Sequence, residues 1–295
     1  MPPVTASFHI SRPGLERDIV LQLDPECFSQ RLMLDYFRSG RLLEPETSSL
    51  VDMLLQPGDT CIDIGGHVGF YSMLAAGLVG PTGRVYVFEP ERTNYAHLLT
   101  HIALNHCHHV FPFPWAVGHS TSVVDFFTNF DNDGGHALWD PGQHPFNQKS
   151  RQQVSKESVF LISLDDIFGS AQPGFAKLIK IDTEGNETSV LRGARNFLTR
   201  AQVPAVIAEI NRFGLAQLGS SEQEMRTLMT DLGYTTYALV GDLPVRLAPH
   251  ESIQSSYVYN VLFANPQLQQ IVATRWPQDT TTVSLPLVRH TPRPA

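Results

Sequence analysis

Apolar positions alternate with polar ones or run together over residues 4–10 and 18–23, which predicts two short strands around the turn Pro13-Gly14. Asp24-Pro25-Glu26 then reads as a helix start, with proline in the first turn. Phe28, Leu32, Tyr36 and Phe37 follow at helical spacing, and Arg38-Ser39-Gly40 ends the element. Residues 1–46 therefore form a hairpin and a helix laid over the main domain. They serve either to cover a substrate pocket or simply to pack.

From residue 47 to 265 the pattern changes to strand–helix alternation. Leu50, Met53 and Leu54 make one helical face that Pro57-Gly58-Asp59 breaks. The strand Thr60–Ile64 feeds a glycine turn and a helix from Gly69 to Leu78. A second strand, Arg84–Glu89, leads to Pro90 and a helix with Tyr95, Leu98, Leu99 and Leu104 turned inward. Further strands are expected at 109–115, 123–128, 159–162, 177–182, 203–210, 234–239 and 257–263, with a helix at 222–232. Residues 129–152 are irregular and polar, and so long a loop in a compact domain is usually functional or mobile. After Pro266 one helical turn and a loosely attached, Pro-rich tail (266–295) are expected. Near-continuous apolar strands between helices imply an α/β fold with a doubly wound, mostly parallel sheet. Ligands of such sheets sit beyond the carboxyl ends of the strands, so the candidates are the acids that end them: Asp63, Glu89, Asp182 and Glu209.

Composition narrows the function. A net charge of -8 over 295 residues argues against non-specific nucleic-acid binding, which needs a basic face. Cys27, Cys61 and Cys107 lack a CxxC spacing and suggest neither a disulfide framework nor a zinc cluster. No apolar run approaches the roughly eighteen residues of a membrane span, and no basic-then-apolar leader is present. A cytoplasmic location is the default expectation, and a homo-oligomer is compatible with the sequence.

The glycine turn Asp63-Ile64-Gly65-Gly66-His67-Val68-Gly69 brings backbone close to a ligand at a helix N-terminus. A dinucleotide-binding turn would use the same features. However, Ile64 stands where the first glycine of GxGxxG would be, and Asp63 would repel a pyrophosphate. A carboxylate there suits a ligand with an ammonium group and no phosphate, such as S-adenosylmethionine. Glu89 is placed to accept ribose hydroxyls, and Ala116 and Val117 to flank an adenine, while Trp115 reads as core.

Asp182, Glu184 and Glu187 crowd three carboxylates into six positions at a strand-to-helix turn. Mutual repulsion raises their pKa values, which makes one of them a usable base. The same cluster could instead hold a divalent cation such as magnesium, or Glu187 could simply cap the helix. His136, in the long loop, is a candidate base or acceptor contact, whereas His97 and His101 read as rim residues.

Asp63-Ile64-Gly65-Gly66-His67-Val68-Gly69-Phe70-Tyr71-Ser72, Phe88-Glu89-Pro90, Leu164-Asp165-Asp166-Ile167 and Lys180-Ile181-Asp182-Thr183-Glu184-Gly185-Asn186-Glu187, with Val190-Leu191-Arg192-Gly193-Ala194, resemble the FkbM family of S-adenosylmethionine-dependent methyltransferases. The likeness spans roughly residues 50–265. It implies a Rossmann-like class I methyltransferase fold with a seven-stranded sheet whose last strand is antiparallel. It also implies O-methylation of a hydroxyl on a sugar or secondary metabolite, or alternatively N-methylation of a peptide or amide nitrogen. A non-catalytic binding module of the same fold is the more distant alternative. The cofactor site so implied comprises Asp63, Gly65, Gly66, His67, Gly69, Glu89, Pro90, Ala116, Val117 and Asp182, with Asp182, Glu184 and His136 at the transferred methyl. Two positions depart from the family: Gly66-His67 replaces Ala-Asn, and His101 stands where an asparagine is frequent.

Overall fold

The computed structural model describes residues 2–12, 15–241, 244–249, 251–253 and 258–275. The turn expected at Pro13-Gly14 and the tail beyond residue 275 lie outside them.

The chain opens with β1 (Val4–Arg12), β2 (Leu15–Leu23), α1 (Phe28–Arg38) and α2 (Pro45–Leu54). The first half of the main sheet follows as β3 (Thr60–Ile64), α3 (Phe70–Val79), β4 (Arg84–Phe88), α4 (Arg92–Leu104) and β5 (Val110–Phe113). Next come β6 (Ala116–Val117), β7 (Ser122–Phe127), α5 (Gln148–Gln152), β8 (Lys156–Ile162) and α6 (Leu164–Phe168). The second half comprises β9 (Leu178–Ile181), α7 (Glu187–Arg192), α8 (Arg195–Ala201), β10 (Ala205–Ile210), α9 (Arg212–Gln217) and α10 (Glu222–Asp231). The described chain closes with β11 (Thr235–Leu239), β12 (Pro244–Arg246), β13 (Tyr259–Ala264) and α11 (Pro266–Arg275), the last longer than the single turn expected.

The main sheet has the order β12-β11-β13-β10-β9-β3-β4-β5. Strands β5, β4, β3, β9 and β10 run parallel, and β13 lies antiparallel between β10 and β11. The antiparallel last strand is thus as expected, but the sheet has eight strands because Pro244–Arg246 adds an edge to β11. Every residue of β3, β9 and β10 is buried, which is why these segments read as nearly continuous apolar runs broken only by Thr60, Asp63, Lys180 and Glu209. A separate three-stranded sheet, β6-β8-β7, stands beside the main one. Strand β3 has β4 on one side and β9 on the other, so the chain reverses its winding there. The crevice at that switch point is where a doubly wound sheet binds its ligand.

The N-terminal hairpin shares a core with the main domain: Ile19, Leu21 and Leu23 pack with Met73, Leu74 and Leu98 of α3 and α4. His101 belongs to this packing and not to the rim. It is fully buried, with Nδ1 at 2.6 Å from the Val68 carbonyl and Nε2 accepting the Gln22 N–H at 2.9 Å. It therefore fastens the glycine turn to β2. Leu99 and Leu104, expected to face inward, are 42% and 40% exposed, because α4 is buried mainly along its Asn94–Leu98–His101 side.

Candidate functional site

The glycine turn is wedged between two neighbours. Gly65 has φ +80°, and a Cβ there would stand 1.7 Å from the Asp182 carbonyl. Its N–H and that of Gly66 both donate to the Phe88 carbonyl, at 2.9 and 3.0 Å. A Cβ on Gly66 would meet Val87 Cγ2 at 2.3 Å, so a β4 side chain fills the space an alanine would need. His67 has φ +51°, a conformation that histidine and asparagine accept more readily than most residues. This explains how one replaces the other here. Its N–H donates to Glu89 Oε2 at 2.7 Å, and its Nε2 lies 3.0 Å from Asp133 Oδ2. The Glu91 N–H holds the other Glu89 oxygen at 2.8 Å. Burial pushes the Glu89 carboxyl up to about 7.

A cavity of about 380 Å³ opens at the carboxyl ends of β3, β4, β9 and β10. Gly65, His67, Glu89, Pro90, Ala116 and Val117 line it, as the sequence led one to expect. Gly66 and Gly69 instead serve packing, the latter against Leu98. Trp115 lines the cavity as well, while keeping ring contacts with Phe113 and Phe160. Phe28, Ser29, Leu32 and Met33 of α1 and Asn132, Gly134, His136 and Leu138 of the long loop form its other walls. The front section thus covers the pocket, and Asp133 ties it there: its carboxylate accepts from Ser29 N–H at 2.6 Å and Gln30 Nε2 at 3.0 Å as well as facing His67. Although burial works upward on the Asp133 carboxyl, these partners hold it down at about 2.

Asp63 is not at the cavity surface. It lies inside β3 rather than at its end, so its side chain points off a face of the sheet, where it accepts from Ser72 Oγ at 2.6 Å. It is 2% exposed, and burial raises its pKa. Asp182, one residue past β9, does line the cavity. Asp182 Oδ2 pairs with Lys180 Nζ at 2.7 Å, and Lys180 is buried over the Tyr71 ring at 4.4 Å. Lys180 opens one of the motifs that carry the family resemblance, which gave it no role.

The acidic turn divides by role. Glu184 has φ +55° and lines the cavity, and its Oε2 accepts from Asn211 Nδ2 at 2.6 Å. Trp139 Nε1 donates to its backbone carbonyl at 2.6 Å, docking the long loop onto the turn. Burial, and then the charges of Asp182 and Glu187, push the Glu184 carboxyl up to about 8. Glu187 is fully buried behind the turn, where Oε1 accepts from Thr183 N–H, Thr183 Oγ1 and Gly185 N–H. It braces the loop at the start of α7, the structural alternative weighed from the sequence. Among the described residues no three His, Cys, Asp or Glu side chains are grouped to hold a metal ion, so the cation reading of Asp182, Glu184 and Glu187 loses its basis. His136 accepts the Asn129 N–H on Nδ1 at 2.9 Å, which places the proton of the neutral ring on Nε2. Burial lowers its pKa, and the ring lines the cavity.

Residues 63–236 match the FkbM methyltransferase domain, more than half of the chain. The chain belongs to the FkbM family of S-adenosylmethionine-dependent methyltransferases. No curated protein matches it. Among solved structures, this FkbM-family chain is similar to the FkbM methyltransferase of Methylobacillus flagellatus KT, at 18% identity over 73% of this chain and 50% of that one, with a TM-score of 0.42. It therefore spans about half the length of that protein. It is also similar to an S-adenosylmethionine-dependent O-methyltransferase of Thermotoga maritima, at 11% identity over 88% and 77% of the two chains (TM-score 0.42). A third likeness is to Aeropyrum pernix fibrillarin with bound S-adenosylmethionine, at 16% identity over 74% and 73% (TM-score 0.39). No helix among the described residues of this FkbM-family chain is long and apolar enough to cross a membrane.

Proposed function

We propose that the chain transfers the methyl group of S-adenosylmethionine to a hydroxyl of a small molecule, a sugar or secondary metabolite, in the cytoplasm. The residues present suit that cofactor. Among the described residues five carboxylates line the cavity (Glu44, Glu89, Asp182, Glu184 and Glu209) and no Lys or Arg does, which favours a sulfonium and an ammonium and disfavours a pyrophosphate. Glu89, fixed by two backbone N–H groups, is aimed to accept ribose hydroxyls, and Trp115, Ala116, Val117 and Phe126 offer an apolar wall for the adenine. Asp182, paired with Lys180 Nζ at 2.7 Å, is the partner for the ammonium end. When bound, the cofactor supplies an electrophilic methyl group.

Glu184 carries the reading. Its carboxyl titrates near 8, close to the working pH of a general base, and it stands in the cavity beside Asp182 with one oxygen fixed by Asn211. The ionised form takes the acceptor's hydroxyl proton as the oxygen attacks, and His136 Nε2–H is a donor for orienting the acceptor. The two walls formed by α1 and the long loop exclude water.

Calorimetry with S-adenosylhomocysteine and with NAD tests the cofactor, the expected result being binding of the former alone. Binding of NAD alone would overturn the reading. Labelled methyl transfer to hydroxyl acceptors then tests the chemistry.

A further inference from the structure

The cavity holds more buried acceptor groups than the methyl donor accounts for. With Glu89 assigned to ribose and Asp182 paired with Lys180, Glu44, Glu184 and Glu209 remain. Glu184 is bonded to Asn211, and Glu44 Oε2 accepts from Tyr71 Oη and Asn260 Nδ2, each at 2.8 Å. Glu209 differs: it is 8% exposed, lines the cavity, and its Oε2 has no hydrogen-bond partner among the described residues. Directly across from it, Asn260 of β13 is its partner in the β10–β13 ladder, so both side chains leave the same face of the sheet. Asn260 Oδ1 is likewise buried and unpartnered.

Two buried acceptors without donors are costly, and a carboxylate without a countercharge more so. The group that meets this demand has several donors, no acceptor and a positive charge, which describes an ammonium. A phosphate or carboxylate would bring only acceptors and more negative charge. Building on the methyl-transfer reading, we infer that Glu209 and Asn260 form a subsite for a protonated amine on the acceptor, which is therefore an amine-bearing alcohol of the amino-sugar kind and not a phosphorylated one. Burial and the surrounding carboxylates push the Glu209 carboxyl well above its usual range. A bound ammonium supplies the donors and the countercharge that the described residues do not.

The test titrates the protein, saturated with S-adenosylhomocysteine, with glucosamine, glucose and glucose 6-phosphate by ligand-observed NMR. Glucosamine is expected to bind at least about tenfold more tightly than glucose, with no binding of the phosphate. Glu209→Gln should erase that preference while S-adenosylhomocysteine affinity stays unchanged, which also shows that the variant is folded. Equal binding of the two neutral-pH sugars, tighter binding of the phosphate, no binding of glucosamine, or a preference that survives Glu209→Gln would each overturn the subsite. Methyl transfer is read separately with labelled donor. Glucosamine bound through Glu209 but never methylated on oxygen would sink the O-methylation reading and leave the subsite standing.

Discussion

Glu184 concentrates the chemistry in one side chain. Its left-handed backbone and its bond from Asn211 fix the carboxyl in the cavity, while burial and the charges of Asp182 and Glu187 push it up to about 8. Glu184→Gln keeps the shape and the Asn211 contact but removes the proton acceptor. It should lower kcat by about 10²–10⁴-fold while leaving S-adenosylhomocysteine affinity in place. In the wild type, kcat should rise with pH up to about 8, since the ionised form is the active one. A flat profile between pH 6 and 9 would remove Glu184 as the base. Gly66 sets a second residue-level constraint. Gly66→Ala drives a methyl into Val87 Cγ2 and should cost about 1–3 kcal/mol, as overpacking does. Val87→Ala in the same chain should restore much of that loss, and additive effects in a thermal denaturation cycle would refute the steric explanation.

At the scale of elements, the cavity depends on a junction that no single segment contains. Asp133 in the long loop meets α1 through Ser29 and Gln30 and the glycine turn through His67, while its carbonyl accepts from Asn94 of α4 at 2.9 Å. Asp133→Asn removes the charge that these donors face and should cost about 1–3 kcal/mol. Because that cost falls on the loop and α1, it should appear as faster proteolysis within residues 129–152 and weaker S-adenosylhomocysteine binding. Unchanged cleavage and affinity would mean that the junction does not hold the wall in place. The spacing of apolar residues marked α1 as a helix but left open whether the front section covers a pocket or only packs. The junction was not legible, because Ser29 and Asp133 are 104 residues apart and nothing local marks them as partners.

For the whole molecule, burying acids around one cavity links stability to pH. Glu89, Glu184 and Glu187 lose their protons near 7, 8 and 7 when folded, against 4.5 for an unperturbed glutamate. Between those values the folded state binds more protons than the unfolded one, so stability falls as pH rises through the window. The buried His101 and His109 and the half-buried His136 and His144 act in the opposite direction, since desolvation lowers their folded pKa values, but only below about 6.5. From pH 6.5 to 8.5 the carboxyl groups prevail, and urea unfolding should show a steady loss of at most about 1.4 kcal/mol per pH unit for each titrating group. A stability that rises across this range would contradict the burial of these acids.

The sequence by itself determined most of the order of elements, the parallel core of the sheet and the family, and through the family resemblance the antiparallel last strand, because these depend on local periodicity and on motifs contiguous in the chain; it did not mark the edge strand β12. It also marked the acids at or near the carboxyl ends of the strands, Glu209 among them. Only the tertiary structure decided which acids face the cavity. Asp63 turned away because the pleat of β3 directs it at α3, and Glu187 turned inward to satisfy the N–H groups of its own turn. The same held for His101 and His136, whose roles follow from the carbonyl and N–H groups that distant segments bring to their rings. Burial and hydrogen-bond partners are set by residues far apart in the chain, and these decide whether a carboxyl is a base, a brace or a binding group.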